Sequence, residues 1–202
     1  MYKVSLFLII TMVFSASVFA KNTSVSVSNT KKNASKITTA KDLTKNLITE
    51  GQEPHPFTLM SIKRRFKSLK KIISLNKDKD IFLIFFTTSC KSCVKERAKI
   101  IKMTETNPKI LPILIGVRNP KDETILEFNS NIKRIIKEEN IKIDIYLDLY
   151  STVAKFYNVK EGTSISVPKL FIVNSNSGKI VKIISGYDEK LPEIYKKLYK
   201  KN

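Results

Sequence analysis

The sequence predicts an α/β fold in which a mixed central sheet is covered by helices on both faces, giving three layers. Three observations carry this prediction. Short apolar runs dense in β-branched and aromatic residues recur along the chain, stretches of helical periodicity separate them, and two final strands flank the turn Ser175-Asn176-Ser177-Gly178. Strands alternating with helices build a sheet that must be covered on both sides. The closing hairpin adds antiparallel strands to it.

The first twenty residues, MYKVSLFLIITMVFSASVFA, stand apart from that pattern. Lys3 supplies a small positive region, Val4 to Val13 are mostly apolar, and Ser17-Val18-Phe19-Ala20 ends on a small residue suited to cleavage. Residues 1–20 therefore read as a secretory signal, with the mature chain starting near Lys21. An uncleaved anchor is the alternative, because Val4 to Ala20 carries no charge and approaches the length of a bilayer span. Either reading places the rest of the chain outside the cytosol, in a periplasm or its equivalent, where disulfides persist.

Residues 21–40 hold 15 Ser, Thr, Asn or Lys among 20 and no aromatic residue. Such a composition buries too little apolar surface to offset the entropy of ordering, so 21–52 reads as a polar tether, with a short helical lead-in over 41–52. A single domain is expected over 53–202. Within it, Ile62, Phe66, Leu69 and Ile73 fall on one helical face, and Ile81 to Phe86 form a buried strand. Val94, Ala98 and Ile101 mark a helix that begins at or just before Cys90. A strand over Ile110–Val117, a helix over about 123–139, a strand over Ile143–Leu147 and a short helix over Thr152–Tyr157 follow. Strands over Leu170–Asn174 and Lys179–Ser185 and a last helix over about 191–198 complete the domain.

Composition narrows the function classes. A hydrophobic content of 42% describes a globular protein rather than a membrane bundle. The formal charge is +19, and without Lys3 there remain 36 basic and 18 acidic groups, a charge of +18. The excess is mostly Lys and is scattered, with no compact basic motif interleaved with aromatics, so no nucleic-acid partner is indicated. Between Lys63 and Lys79 eight basic residues accompany one acidic residue around the Ile62/Phe66/Leu69 stripe. That stretch is either a solvated helix face or a contact for an anionic membrane surface.

Both cysteines lie in FFTTSCKSCVKE, as Cys90 and Cys93. A structural staple across two residues closes too small a loop to stabilise much. A zinc clip needs more ligands, and His55, the sole histidine, lies in a Pro-flanked extended segment; copper is the one metal that two thiolates would suit. Redox exchange fits the position best. At the start of a helix the free N–H groups and the dipole favour a thiolate, and Lys91 and Lys95 add positive charge. Cys90 would attack a partner disulfide and Cys93, one turn inward, would resolve the adduct.

With these residues in view, the sequence from about Pro56 to the C-terminus resembles the thioredoxin fold, and within it the exported reductases of the TlpA/ResA group. Pro56-Phe57-Thr58-Leu59 is similar to that group's opening strand, and FFTTSCKSCVKE to its strand-to-C-x-x-C junction, with Glu96 at the position of a Glu beyond the second Cys. Asp148 through Val159 resembles the stretch before the cis-proline loop. Ser166-Val167-Pro168-Lys169-Leu170-Phe171 is similar to the loop and the strand after it, Ser177-Gly178 to the hairpin turn, and residues 110–140 to an inserted β-α unit. The resemblance implies a thioredoxin-like three-layer α/β/α sandwich and a redox-active Cys90–Cys93 disulfide. It further implies proton handling by Glu96, and a cis Val167–Pro168 edge that binds an extended substrate. It calls for no cofactor. Ser89 stands where the group has Trp, and Ser92 where it often has Pro, which bears on redox poise.

The expected function is that of an exported thiol-disulfide oxidoreductase acting on protein thiols, reducing its clients, with apocytochrome c maturation one such task and a membrane electron donor upstream. Disulfide formation or isomerisation is the alternative direction. A redox-inert copper-binding or membrane-surface module is the alternative class. The Thr and Pro arrangement expected before a peroxidatic cysteine is absent.

Overall fold

The computed structural model describes residues 47–199. The predicted leader and the tether as far as residue 46 lie outside the described residues. Among those described, no helix is long and apolar enough to cross a membrane.

The order of elements is β1 (Thr58–Ser61), β2 (Phe66–Ser68), α1 (Leu69–Leu75), β3 (Asp80–Phe86), α2 (Lys91–Thr106), β4 (Ile110–Val117), α3 (Ile125–Glu138), β5 (Ile145–Asp148), α4 (Thr152–Phe156), β6 (Lys160–Glu161), β7 (Ser164–Ile165), β8 (Lys169–Asn174), β9 (Lys179–Ser185) and α5 (Leu191–Tyr199). Seven strands form one sheet in the order β2-β1-β5-β4-β3-β8-β9, and β6 pairs with β7 in a small separate hairpin. The strands β3, β4 and β5 run parallel, while β8 is antiparallel to β3 and β9 to β8. The sheet is therefore mixed, with helices on both faces.

Alternation along β3 divides the core. Phe82, Ile84 and Phe86 face α2, α3 and α5, meeting Ile100, Phe128, Ile132 and Leu191. Ile81, Leu83 and Phe85 face α1 and α4, meeting Leu69, Ile72, Val153 and Tyr157. Period-two alternation with both faces apolar is the mark of a central strand covered on each side. Gly116 in β4 lets α3 seat closely: a Cβ there would come within 3.0 Å of Ile132 Cδ1 and 3.2 Å of Phe128 Cζ.

Local signals start the helices. Thr124 and Glu127 form a reciprocal capping box on α3, with Glu127 N–H donating to Thr124 Oγ1 at 3.2 Å and Thr124 N–H to Glu127 Oε2 at 2.7 Å. Asp148 is buried at the end of β5, and its carboxylate accepts the amides of Thr152 and Ala154 at 2.9 and 2.8 Å, tying down the start of α4. At the base of β3, buried Asp80 accepts the Tyr195 hydroxyl at 2.8 Å and Asn174 Nδ2 at 3.1 Å, which ties α5 to the sheet.

Three expectations are corrected. Ile62, Phe66, Leu69 and Ile73 do not share a helix, because Ser61 and Arg65 close a turn, with Arg64 at φ 59°, that folds β2 back on β1. The helix starts only at Leu69, and Phe66 is left 71% exposed. Along α2 the buried stripe is Cys93, Glu96, Arg97, Ile100 and Met103, whereas Val94 is exposed. Hydropathy alone points to Val94, Ala98 and Ile101 because two of the buried positions are charged. Leu47 to Thr49 are not helical; Ile48 is buried in the core, and Gly51 and Gln52 bond the backbone of Ile180.

Candidate active site

β3 ends at Phe86 and the chain passes through Thr87-Thr88-Ser89 to Cys90, the N-cap of α2. Cys90 and Cys93 are joined as a disulfide. Cys93 is fully buried while Cys90 is half-buried, and Ser89, Lys91 and Ser92 around it are exposed. The amide of Cys93 donates to Cys90 Sγ at 3.1 Å, and Ser92 Oγ lies 3.4 Å from the same sulfur. A sulfur at an N-cap that receives a first-turn amide is placed where negative charge on it is favoured.

Glu96 follows one turn after Cys93 on the buried face of α2 and is 1% exposed. Neither carboxylate oxygen has a hydrogen-bond partner. Burial pushes its pKa from the usual carboxylate range up to about 7, against the weaker opposing pull of the nearby Asp188 amide and the Lys99 ammonium. Lys99 donates to the carbonyls of Asp188 and Glu189 at 3.2 and 2.9 Å and lies over the Tyr187 ring, fixing the β9–α5 loop against this side of α2. A carboxyl group that titrates near neutrality beside a buried sulfur is suited to passing a proton.

The Val167–Pro168 peptide bond is cis. In register, Lys169 of β8 stands opposite Phe85 of β3, so Pro168 lies at the end of the sheet from which the cysteine loop leaves. Pro168 is buried, its carbonyl accepts Gly186 N–H at 2.8 Å, and Val167 packs against both core layers. Cys90, Cys93, Val167 and Pro168 thus share the end of the sheet at which β3 finishes, and Glu96 lies one turn further along α2, toward the β9–α5 loop. His55 lies elsewhere, against Phe156 and Tyr157 of the α4 region.

Sequence reasoning missed the residues that hold this site in place. Thr88 Oγ1 donates to the buried Glu123 carboxylate, with contacts of 3.0 and 2.9 Å, and Asn131 Nδ2 bonds the same group at 3.1 Å. Arg118 joins the β4–α3 loop to the β5–α4 loop through the carbonyls of Glu123 and Leu149, each at 2.8 Å. Arg97, fully buried, bonds Glu139 with Nε at 2.9 Å and also with Nη2, and its guanidinium lies 4.4 Å from the Phe86 ring centroid. No local spacing signals these long-range pairs.

The profile of the AhpC/TSA family matches residues 51–183. No curated protein matches the chain by sequence. Among solved structures, the chain is similar to a protein provisionally assigned as thiol:disulfide interchange protein DsbE from Chlorobium tepidum, with TM-score 0.59, 14% identity, and 75% of this chain and 95% of that one covered. A provisional protein disulfide isomerase from Bacteroides thetaiotaomicron gives TM-score 0.58, 20% identity and coverage of 75% and 88%. The exposed lipoprotein thioredoxin Etrx1 of Streptococcus pneumoniae gives TM-score 0.55, 19% identity and coverage of 71% and 98%. At these identities the likeness is one of fold.

Proposed function

The chain belongs to the AhpC/TSA family and has a thioredoxin-like fold, and from that premise we propose that it is an exported thiol-disulfide oxidoreductase that reduces protein disulfides through Cys90 and Cys93. The observation that carries this reading is the pairing of an accessible N-cap sulfur, bonded by the Cys93 amide, with a fully buried sulfur one turn inward. In the dithiol form, Cys90 thiolate attacks one sulfur of a client disulfide, forming a mixed disulfide and releasing a client thiolate. Cys93 then loses its proton to the Glu96 carboxylate and attacks Cys90 Sγ. The second client thiolate leaves, and two electrons have passed from the pair to the client. Val167 and Pro168 are assigned the edge along which an extended client segment lies.

Export rests on the leader-like residues 1–20, and the polar, aromatic-free residues 21–40 would serve as the tether, since the chain is already packed on the domain from Ile48 onward. Oxidised apocytochrome c, whose disulfide would be reduced to the two thiols, is one client class in such a compartment, and a membrane-bound dithiol donor would restore the reduced pair. Disulfide formation is the second reading of the same site, favoured by Lys91, Lys95 and Ser92 beside Cys90, since a more stable thiolate makes a disulfide more oxidising. The reduction potential of the Cys90–Cys93 couple decides the direction. A value near about −270 mV supports the reductase, and one near about −120 mV replaces it with an oxidase. A pair that turns over no insulin disulfide in the presence of reductant would overturn both.

A further inference from the structure

Well away from the disulfide, the domain carries an apolar and cationic groove that the redox chemistry does not use. Phe66 of β2 and Leu75 at the end of α1 are 71% and 70% exposed, and together with Lys67 and Lys71 they line a cavity of about 310 Å³ over Ile72 and Ile113. In sheet register Leu111 and Ile113 stand level with Ile81 and Leu83, so the groove lies between the start and the middle of the parallel strands. Leu75 precedes Asn76, whose carbonyl accepts Ser175 Oγ at the base of β3, so the groove runs toward that base and the cysteine loop leaves β3 at the opposite end. The described chain joins the domain at the same end of the sheet but at the opposite edge, since Gly51 and Gln52 bond Ile180 of β9, which is level with Val173 and, through it, with Ile81.

Lys67 and Lys71 line the groove, and further cations lie on the same β2–α1 segment and the turns that flank it. Lys63 and Arg65 are engaged by Asp144, but among the described residues Arg64, Lys67, Lys70, Lys71 and Lys77 have no acidic partner within ion-pair distance, and all five are exposed. An exposed aromatic and an exposed leucine set among unpaired lysines form the pattern that partitions into a bilayer interface: the apolar groups enter the headgroup–acyl boundary while the ammonium groups stay at the phosphates. We propose that this groove and its cationic rim dock the domain onto an anionic phospholipid bilayer, leaving Cys90 facing away from the lipid. A second copy of the chain would bring the unpaired Lys67 and Lys71 against their equals, so self-association through this face is disfavoured. A free phosphate would engage the lysines and make no use of Phe66 and Leu75.

The chain contains no Trp, which makes a single introduced Trp a local reporter. Phe66→Trp in the full chain is expected to shift its emission to the blue, and to be quenched by brominated acyl chains, with vesicles of phosphatidylcholine and phosphatidylglycerol in equal parts but not with phosphatidylcholine alone. Leu126→Trp, 79% exposed on α3 near the Glu123–Thr88 contact, is expected to stay unshifted. Adding Lys67→Gln and Lys71→Gln is expected to weaken partitioning about twenty-fivefold, a factor of about five for each cation removed. No shift at Phe66→Trp, an equal shift at Leu126→Trp, or a shift that follows protein concentration without vesicles, as self-association would give, overturns the proposal. A shift produced by inorganic phosphate alone overturns it too.

Discussion

The guanidinium of Arg97 lies 4.4 Å from the ring centroid of Phe86, the last residue of β3, and forks onto Glu139 at the end of α3. The Arg97 side chain is only 1% exposed, and it belongs to the same buried face of α2 as Cys93. The contact therefore braces the cysteine-bearing helix against both the sheet and α3. Arg97 is fully buried while Glu139 keeps some contact with solvent, so Arg97→Ala, which empties the buried site and strips Glu139 of its partner, is expected to cost about 3 kcal/mol of stability, the low end for a buried pair. Arg97→Met, which restores packing over Phe86, is expected to cost less when combined with Glu139→Leu than the two changes cost separately. Urea unfolding of the two single variants and the double variant measures the coupling. Purely additive effects would mean that the pair does not act as a unit.

Glu96 sets a pH dependence with a definite sign. Its folded-state pKa of about 7 lies above the ordinary carboxylate value of 4.5, so between these pH values the folded state holds more protons than the unfolded state. Stability from this group is fully present below about pH 4.5, falls as the pH rises toward 7, and levels off above it. A shift of this size corresponds to about 3 kcal/mol. Glu96→Gln is expected to flatten that slope and to be more stable than the parent at pH 8. It is also expected to slow resolution of a mixed disulfide by about a hundredfold, the range for a lost proton-transfer group. Stopped-flow reduction of a model disulfide across pH 5–9, beside urea titrations at the same pH values, separates the two effects.

The sequence made β3, β4, the closing hairpin and the site loop legible because their signals are local. Ile110–Val117 is a run that only a buried strand explains, and C-x-x-C after such a run places a helix start at Cys90. Where two charged residues are buried, hydropathy misleads. Glu96 and Arg97 rotate the apparent face of α2, since the Lys99 region and Glu139 that accommodate them come from neighbours the sequence does not advertise. Phe66 failed for another reason: Ile62, Phe66, Leu69 and Ile73 satisfy helical spacing, but a turn at Arg64 redirects the chain into the edge strand β2. The short hairpin β6–β7, two residues a strand, offers too little periodicity to detect.

The loop before Cys90 is held from a distance, and that attachment is testable. Thr88 donates to Glu123, which Asn131 also holds from α3. Thr88→Val keeps the shape of the side chain, removes the donor and leaves part of a buried carboxylate unsatisfied, at an expected cost of about 1–3 kcal/mol. If the bond orients the cysteine loop, exchange with a disulfide substrate should slow severalfold at unchanged substrate affinity, and Thr88→Ser should recover most of the rate. Equal losses in Thr88→Val and Thr88→Ser would show that the methyl packing, rather than the hydrogen bond, matters.

The two sulfurs have unequal access, and their separate replacement should have unequal consequences. Cys90 borders exposed Ser89, Lys91 and Ser92, whereas Cys93 is fully buried beneath the first turn of α2. A client sulfur can therefore reach Cys90 without rearrangement of the fold but cannot reach Cys93. Cys93→Ser is expected to retain attack and lose resolution, so that it accumulates a covalent adduct with a disulfide-bearing protein, visible as a heavier band on non-reducing gels and released by dithiothreitol. Cys90→Ser is expected to form no adduct and to reduce insulin no faster than free dithiothreitol. The helix-start position predicts in addition that the lone Cys90 thiol of Cys93→Ser reacts with iodoacetamide well below the pH at which an ordinary cysteine does, because the first-turn amides favour its anion. An alkylation profile centred at the ordinary value of about 8.5 would remove the electrostatic basis for Cys90 as attacking group, even if the adduct formed.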